Sequence, residues 1–327
     1  MARHFEVRTN MKTIRFSLDN QPLQTPRVAT IGFFDGVHRG HQYLIERVKA
    51  EAATAQMVSA VITFSCHPRQ ILHSEYVPEL LTTLDGKLIQ LAKTKVDETI
   101  VLNFDKDMAA LSARDFMEKI LRDRLDVRKL VIGYDNRFGH NRSEGFEDYA
   151  RYGNELGIEV IRHPAFMLHG VNVSSSVIRT FLHQGEVEMA ALCLGYPYTI
   201  SGKVVPGVQE GRKIGFPTAN LDTSHYGQLI PANGVYAVKA RLEQSIATLP
   251  AMMNIGMRPT FNGTDITLET HILNFSDDLY GKTLSVSFMH RIREEQKFDS
   301  PQDLMKQLQH DRKMVVEQFE KDQGRDE

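Results

Sequence analysis

Residues 30–41, T-I-G-F-F-D-G-V-H-R-G-H, restrict the fold more than any other stretch of the chain. Residues 28–33 read as a buried strand, Gly36 and Gly40 loosen the backbone after it, and His38 and His41 stand three apart at the mouth of a helix. That helix is expected over residues 42–53, with Leu44, Ile45, Val48 and Ala52 recurring on one face. A strand that passes through a glycine-rich turn into a helix holds phosphate, because the first helical N–H groups and the positive dipole end face the anion. Two imidazoles at this spacing add donors where charge builds on a phosphate. The bland alternative is a pair of surface or helix-capping histidines.

The remainder of the first half repeats the theme. Strands are expected at residues 13–16 (an edge), 57–64, 99–104, 129–134 and 158–162. Between them lie a helix that Asp85 would cap, a helix capped by Ser112 with Phe116, Met117, Ile120 and Leu121 buried, and a helix at 144–156 stopped by Gly157. The strands are continuous apolar runs and not alternating ones, which implies a doubly wound α/β domain with a parallel sheet covered on both faces. Ligands of such sheets lie beyond the carboxyl ends of the strands. There the chain places H-R-G-H, then S-C-H-P at 65–68, then G-Y-D-N-R-F-G at 133–139. At 172–179, N-V-S-S-S-V-I-R, Ser174, Ser175 and Ser176 open a helix and Arg179 falls one turn in, a set suited to phosphate oxygens.

Composition excludes several classes. A net charge of −2 leaves no electrostatic footprint for nucleic acid or an anionic membrane. The two cysteines, Cys66 and Cys193, make neither a disulfide framework nor a zinc site, so a reducing cytoplasm is expected. No stretch approaches the roughly 20 apolar residues that span a bilayer, and the first residues have no apolar core of a signal peptide. The partners expected are small molecules, and the sequence carries no signal for oligomeric state.

Beyond residue 197 the pattern changes to short strands with frequent turns. Gly185 stops a helix and residues 186–194 form another, so the expected organisation is a first domain at 1–184, a link at 185–197 and a second domain at 198–327. Strands are expected at 198–205, 235–240, 266–273 and 284–289, with a further pair within 241–256 and no helix before Pro301. This spacing implies a small closed antiparallel barrel. A terminal amphipathic helix starts at Ser300-Pro301 and carries Leu304, Leu308, Val315 and Phe319 on one face. Gly281-Lys282-Thr283 is no P-loop, because position 276 is Ser where that motif needs Gly and no helix follows.

Two stretches of this half carry chemistry. In G-R-K-I-G-F-P-T-A-N-L, residues 211–221, Thr218 and Asn220 present hard oxygen donors suited to Mg²⁺ beside ATP phosphates, although composition alone favours a turn. In I-T-L-E-T-H-I-L, strand periodicity puts Glu269 on one face with Thr267 and His271. A carboxylate in a barrel mouth accepts the proton of an attacking hydroxyl; an outward Glu on a solvated face is the alternative.

The motif G-x-F-D-G-x-H-x-G-H resembles the nucleotidyltransferase superfamily, and its longer form is similar to the bacterial bifunctional riboflavin kinase/FMN adenylyltransferase family. S-S-S-V-I-R resembles the second signature of that superfamily, with Ser176 where threonine is common. G-R-x-x-G-F-P-T-A-N-L is close to the riboflavin kinase signature, and further matches run through 234–238, 254–261, 279–282 and 293–298. The resemblance covers about residues 14–320. It implies that the second domain phosphorylates riboflavin with ATP to FMN, that the first joins FMN to AMP from ATP to give FAD and pyrophosphate, and that Mg²⁺ serves both. His38, His41, Arg179 and Glu269 take the catalytic roles. ATP is met by Gly32, Phe33, Asp35, Gly36, Gly40 and Ser174 to Ser176 in the first domain, and by Gly211, Arg212, Gly215 and Thr218 in the second. The flavin is met by Phe64, His67, Pro68, Asp135 and Arg293, and metal by Thr218 and Asn220. One departure is Asn136, where relatives often carry an aromatic. Two rivals are a nucleotidyltransferase for another phosphate acceptor with a structural barrel, and a silent flavin-binding sensor.

Overall fold

A computed structural model describes residues 11–326 apart from 73–74, 135, 208–209, 224–226, 244 and 261–262. Two compact units divide between Ser175 and Ser176. The division falls inside a helix, earlier in the chain than the link expected at 185–197.

Six parallel strands form the sheet of the first unit: β1 (Lys12–Phe16), β2 (Arg27–Ile31), β3 (Val58–Phe64), β4 (Glu98–Leu102), β5 (Val127–Gly133) and β6 (Glu159–His163). Their order is β1-β4-β3-β2-β5-β6. From β2 the chain winds one way through β3 and β4, then returns to place β5 and β6 on the other side. The switch point therefore lies between the carboxyl ends of β2 and β5, where an open α/β sheet binds its ligand. Every residue of β2 and of β4 is buried, as the unbroken apolar runs required. The edge position of β1 also follows the sequence reading.

The helices of this unit are α1 (Arg39–Ala55), α2 (Pro68–Leu72), α3 (Leu84–Lys93), α4 (Lys106–Ala109), α5 (Ala113–Phe116) and α6 (Phe146–Leu156). Leu44, Ile45, Val48 and Ala52 are the buried stripe of α1, and full burial of Ile45 and Val48 is worth about 1.5–3 kcal/mol each. Ser112 caps α5 through the Asp115 N–H, and the chain continues as a π-helical turn, Met117–Arg122, that buries Met117, Ile120 and Leu121. Gly157 ends α6 in the left-handed conformation. The cap of α3 differs from expectation. Thr83, with an extended backbone, accepts the Gly86 N–H, while Asp85 sits exposed in the first turn, where it complements the dipole. At the amino edge of the sheet, buried Arg27 pairs with Glu98 at 2.8 Å and also donates to the Leu125 carbonyl. That edge is closed by structural bonds, and the opposite edge is left to the site.

A small hairpin, β7 (Met167–Leu168) and β8 (Val171–Asn172), leads to α7 (Ser175–His183) and α8 (Val187–Leu194). The second unit is a closed barrel of β9 (Thr199–Val205), β10 (Ala219–Asp222), β11 (Gly234–Leu242), β12 (Leu249–Thr260), β13 (Gly263–Ile272) and β14 (Thr283–Arg293), in the order β10-β13-β12-β11-β14-β9. Two expectations need correction. Residues 241–256 hold one strand and not two; the remaining strand is β10, four residues that begin within P-T-A-N-L, too short to show a period-2 signal. A one-turn helix, α9 (Glu210–Lys213), also precedes the terminal helix α10 (Pro301–Asp326). Ser300 caps α10 by accepting the Asp303 N–H. Val315 and Phe319 of α10 pack with Phe216, Ala237, Met252 and Leu273 on the outer face of the barrel.

Candidate active sites

In the first unit the backbone between β2 and α1 is held in a costly shape. Phe34 (φ 55°) and Val37 (φ 38°) join Gly36 (φ 77°) at positive φ, a concentration of strain that surrounding structure must hold in place. Asp35 does so from inside. Its carboxylate is buried and accepts the backbone N–H groups of Leu81 (3.0 Å) and Thr82 (3.1 Å), while the Gly36 N–H donates to Thr82 Oγ1 (3.1 Å). Ser175 Oγ donates to the Asp35 carbonyl at 3.0 Å, so the serine run begins against this loop. Asp35 and Gly36 thus tie the loop to Leu81 and Thr82. Ser174 is half-buried and Ser176 exposed; Arg179 lies on α7 beyond the division of the units.

The loop delivers the two histidines as a stacked pair, ring centroids 3.6 Å apart and planes 19° from parallel. His38 is the N-cap of α1: its Nδ1 accepts the His41 N–H at 3.3 Å, which leaves Nε2 to carry the proton of the neutral ring. The capping role read as the bland alternative is therefore real, and it orients the ring. Burial, His38 and Lys87 push the His41 pKa well below the ordinary histidine value, and its enclosed Nδ1 has no hydrogen-bond partner. Two imidazoles held at a helix N-terminus, that of His41 kept neutral by burial, are fixed donors for an anion, the arrangement that electrostatic stabilisation requires. Gly40 permits the packing, since a Cβ there would lie 3.1 Å from His38 Nδ1 and from the Val173 carbonyl oxygen.

Beside this loop a cavity of about 410 Å³ opens at the carboxyl ends of β2, β3 and β5. Gly32, Phe33, Phe64, His67 and Pro68 line it, as do Phe104, Phe116 and Phe138, which sequence reasoning did not assign to a site. Arg69, Arg137, His140 and Arg142 complete the wall, with no carboxylate among the described lining residues. An aromatic slot with a cationic rim suits a planar ring that carries a phosphate. Asn136 lines the same cavity and its side-chain amide donates to the Ile31 carbonyl, tying the ends of β5 and β2 together. Asp135 lies outside the described residues.

Sequence reasoning also missed Lys87. This α3 residue is 2% exposed, and its ammonium donates to the Phe33 carbonyl (3.0 Å), Thr63 Oγ1 (3.1 Å) and the Phe64 carbonyl (3.2 Å). The available signal was its position one turn before Leu91 on the apolar face of the helix.

In the second unit Glu269 is half-buried and directly opposite both Asn220 on β10 and Asn254 on β12. The alternation found in the sequence holds, but the face is the other one. Leu268, Thr270 and Ile272 turn into the barrel against Ala219, Ala251, Met253 and Ile255, so Glu269 stands on the outer surface and not in a barrel mouth. That surface is not solvated: Leu304 and Leu308 of α10 and Phe298 cover it to form a cavity of about 330 Å³. Gly211, Thr218, Asn220, Glu269 and Arg293 line the cavity. Thr218 Oγ1 donates to Glu269 Oε2 at 3.4 Å.

Thr218 is shared. It also lines a second, smaller cavity with Arg212, Asp277, Asp278 and Tyr280. One hydroxyl therefore stands where two cavities meet, with the carboxylate on one side. Gly207 makes room for Asn220, as a Cβ there would come within 2.1 Å of its amide nitrogen. Gly211 closes on the Phe216 carbonyl and Gly215 takes φ 83°, the turn that brings Thr218 inward. Arg293 is fixed by wholly buried Asp311 of α10 at 2.8–3.1 Å. His271 Nδ1 meets the Pro217 carbonyl at 2.8 Å and pins the P-T-A-N segment; burial lowers its pKa. Among the described residues no cluster of three His, Cys, Asp or Glu forms a protein-only metal cage.

Comparison with known proteins matches each unit separately. The family model for FAD synthetase fits residues 20–177, and the one for riboflavin kinase fits residues 194–319. The bifunctional riboflavin kinase/FMN adenylyltransferase of Escherichia coli K12 is 38% identical over 94% of this chain and 98% of its own. The chain belongs to the bifunctional riboflavin kinase/FMN adenylyltransferase family. Its namesake from Haemophilus influenzae is 39% identical over 86% of this chain and 91% of its own, and that of Bacillus subtilis 32% identical over 94% and 98%. A solved structure titled a macrolide-efflux protein from Streptococcus pneumoniae superposes with a TM-score of 0.84 at 31% identity, covering 93% of this chain and 98% of that one. Among the described residues of the present chain, no helix is long and apolar enough to cross a membrane.

Proposed function

We propose that the two units divide the making of FAD between them, with a separate site for each step. In the second unit riboflavin occupies the larger cavity and ATP phosphates reach it past Thr218. Glu269 takes the proton of the ribityl 5′-hydroxyl as its oxygen bonds to the γ-phosphorus, and the bond to the β-phosphate breaks to release ADP. Arg293 and the Phe298 ring would flank the flavin. Thr218 and Asn220 offer hard oxygens at the meeting of the cavities, which fits Mg²⁺ held jointly with ATP phosphates and not by a protein cage. When bound, the ion offsets phosphate charge.

In the first unit a phosphate oxygen of FMN attacks the α-phosphorus of ATP, and the bond to the β-phosphate breaks to release pyrophosphate. His38 and His41 serve as donors to the triphosphate, and Phe33, Phe64, His67 and Pro68 seat the flavin. Ser174, Ser175, Ser176 and Arg179 are assigned to the leaving pyrophosphate on the strength of the motif. Gly32, Asp35, Gly36 and Gly40 act through the shape of the loop, as Gly211, Arg212 and Gly215 do in the second unit. The free cysteines Cys66 and Cys193 favour a cytoplasmic setting.

The observation that carries this reading is Thr218: one hydroxyl shared by two cavities and bonded to the carboxylate opposite makes the barrel a site, which a merely structural barrel would not need. Riboflavin, ATP and Mg²⁺ incubated with the protein should yield FMN and then FAD on chromatography, and chelation of the metal should stop both. FAD formed only from supplied FMN would make the barrel a passive module.

A further inference from the structure

We propose that Lys87 is a positioning residue for adenylyl transfer, joining the ends of β2 and β3 so that the nucleotide loop and the flavin wall keep one register. The inference rests on the adenylyl-transfer reading of the first unit. Its three N–H donors match the three acceptors in reach, the Phe33 and Phe64 carbonyls and Thr63 Oγ1. Thr63 Oγ1 donates in turn to the Phe33 carbonyl at 3.0 Å, closing a small network between the two strand ends. The ammonium also sits 4.1 Å from the centroid of the Phe33 ring, whose edge meets His67 at 4.7 Å. One buried charge therefore fixes the carbonyl and the ring of Phe33 together with the carbonyl of Phe64, and both rings line the aromatic cavity. Being 2% exposed and fully bonded, it has no donor to offer a phosphate, so its effect passes through the loops it holds.

The same segment grips the loop at a second point, through Leu81, Thr82 and Asp35. The titratable groups facing Lys87 are Asp35 in the turn after β2, Cys66 after β3 and His41 on α1. Burial is the largest influence on Lys87 and brings its pKa down from 10.5 to about 8, against the opposing pull of Asp35 and Cys66. Loss of that proton removes one donor and the charge over the Phe33 ring. Adenylyl transfer then declines with a midpoint near pH 8, and the kinase reaction in the other unit does not share this limb.

The test measures FAD formation from FMN and ATP, and FMN formation from riboflavin and ATP, in the same preparations from about pH 6.5 to about pH 9.5. Lys87→Met should lower FAD formation about tenfold or more, abolish its alkaline limb and leave FMN formation unchanged. Thr63→Val removes an acceptor from the ammonium and should move the limb to lower pH, while Cys66→Ser should keep the limb, displaced downward only by the loss of the Cys66 pull. If Lys87→Met does not fold, the profiles of the wild type, Thr63→Val and Cys66→Ser decide alone. The proposal is overturned by a Met variant within about twofold of wild type, by a limb that persists without the lysine, by one unmoved in Thr63→Val, or by one lost in Cys66→Ser. A wild type that makes no FAD from FMN at any pH overturns the underlying reading, and the proposal with it.

Discussion

Replacing Gly40 by alanine places one methyl group against His38 in the proposed adenylyl-transfer site. The new Cβ lies 3.1 Å from His38 Nδ1, 3.2 Å from His38 Cε1 and 3.1 Å from the Val173 carbonyl oxygen. Ordinary contact needs about 0.4 Å more. Backbone cannot give as easily as a ring, so His38 moves, and it moves within a site where it is 5% exposed and stacked on His41 at 3.6 Å. A misplacement of about 1 Å costs about 100-fold in rate, so a shift of about half that size costs about tenfold, or about 1.4 kcal/mol of transition-state stabilisation. Stability moves little, because alanine inside α1 recovers up to about 1 kcal/mol of helix propensity against the crowding. Steady-state kinetics with FMN and ATP should show kcat/KM for FAD formation down about tenfold, FMN formation from riboflavin unchanged and a near-native melting curve. Wild-type FAD formation in a folded Gly40→Ala protein would refute the claim that His38 placement controls this step. Equal loss of both activities would refute the separation of the sites.

Gly207→Ala is the counterpart in the barrel: with Asn220 in the way at 2.1 Å, FMN formation should fall about tenfold or more while FAD formation from FMN persists. Arg293→Met strands the buried Asp311 carboxylate and should cost about 3–5 kcal/mol in chemical denaturation, alongside a raised KM for riboflavin. Lys87 should act on stability and activity with opposite signs. Its folded pKa of about 8 lies below 10.5, so between those values the unfolded chain binds more protons. The unfolding free energy should then rise with pH from about pH 8, where adenylyl transfer is declining, by about 3 kcal/mol relative to Lys87→Met once pH 10.5 is reached.

Much of this was readable from the chain, for reasons that differ by element. The stripe of α1 and the unbroken runs of β2 and β4 are signals of period and burial, and the sheet bears them out. The motifs at the carboxyl ends of β2, β3 and β5 meet because an open parallel sheet brings those ends together. What escaped depends on contacts between distant residues. Alternation grouped Glu269 with Thr267 and His271, but only the register with Asn220 and Asn254, and the cover of α10, show which side of the barrel they take. β10 escaped at the end of P-T-A-N-L because its four residues are too few to show a periodicity. Asp85 lost the cap of α3 to Thr83, two residues earlier, whose extended backbone puts its hydroxyl in reach of the Gly86 N–H. Lys87 reads as a solvated helix charge until the carbonyls of Phe33 and Phe64 are seen around it.

The division of labour between His38 and Glu269 is tested most directly by complementation. Glu269→Gln should form FAD from supplied FMN but no FMN from riboflavin, His38→Ala should form FMN and stop there, and the two variants mixed should carry riboflavin through to FAD. If either substitution abolishes both steps, or if the mixture makes no FAD, the two reactions do not belong to two independent sites.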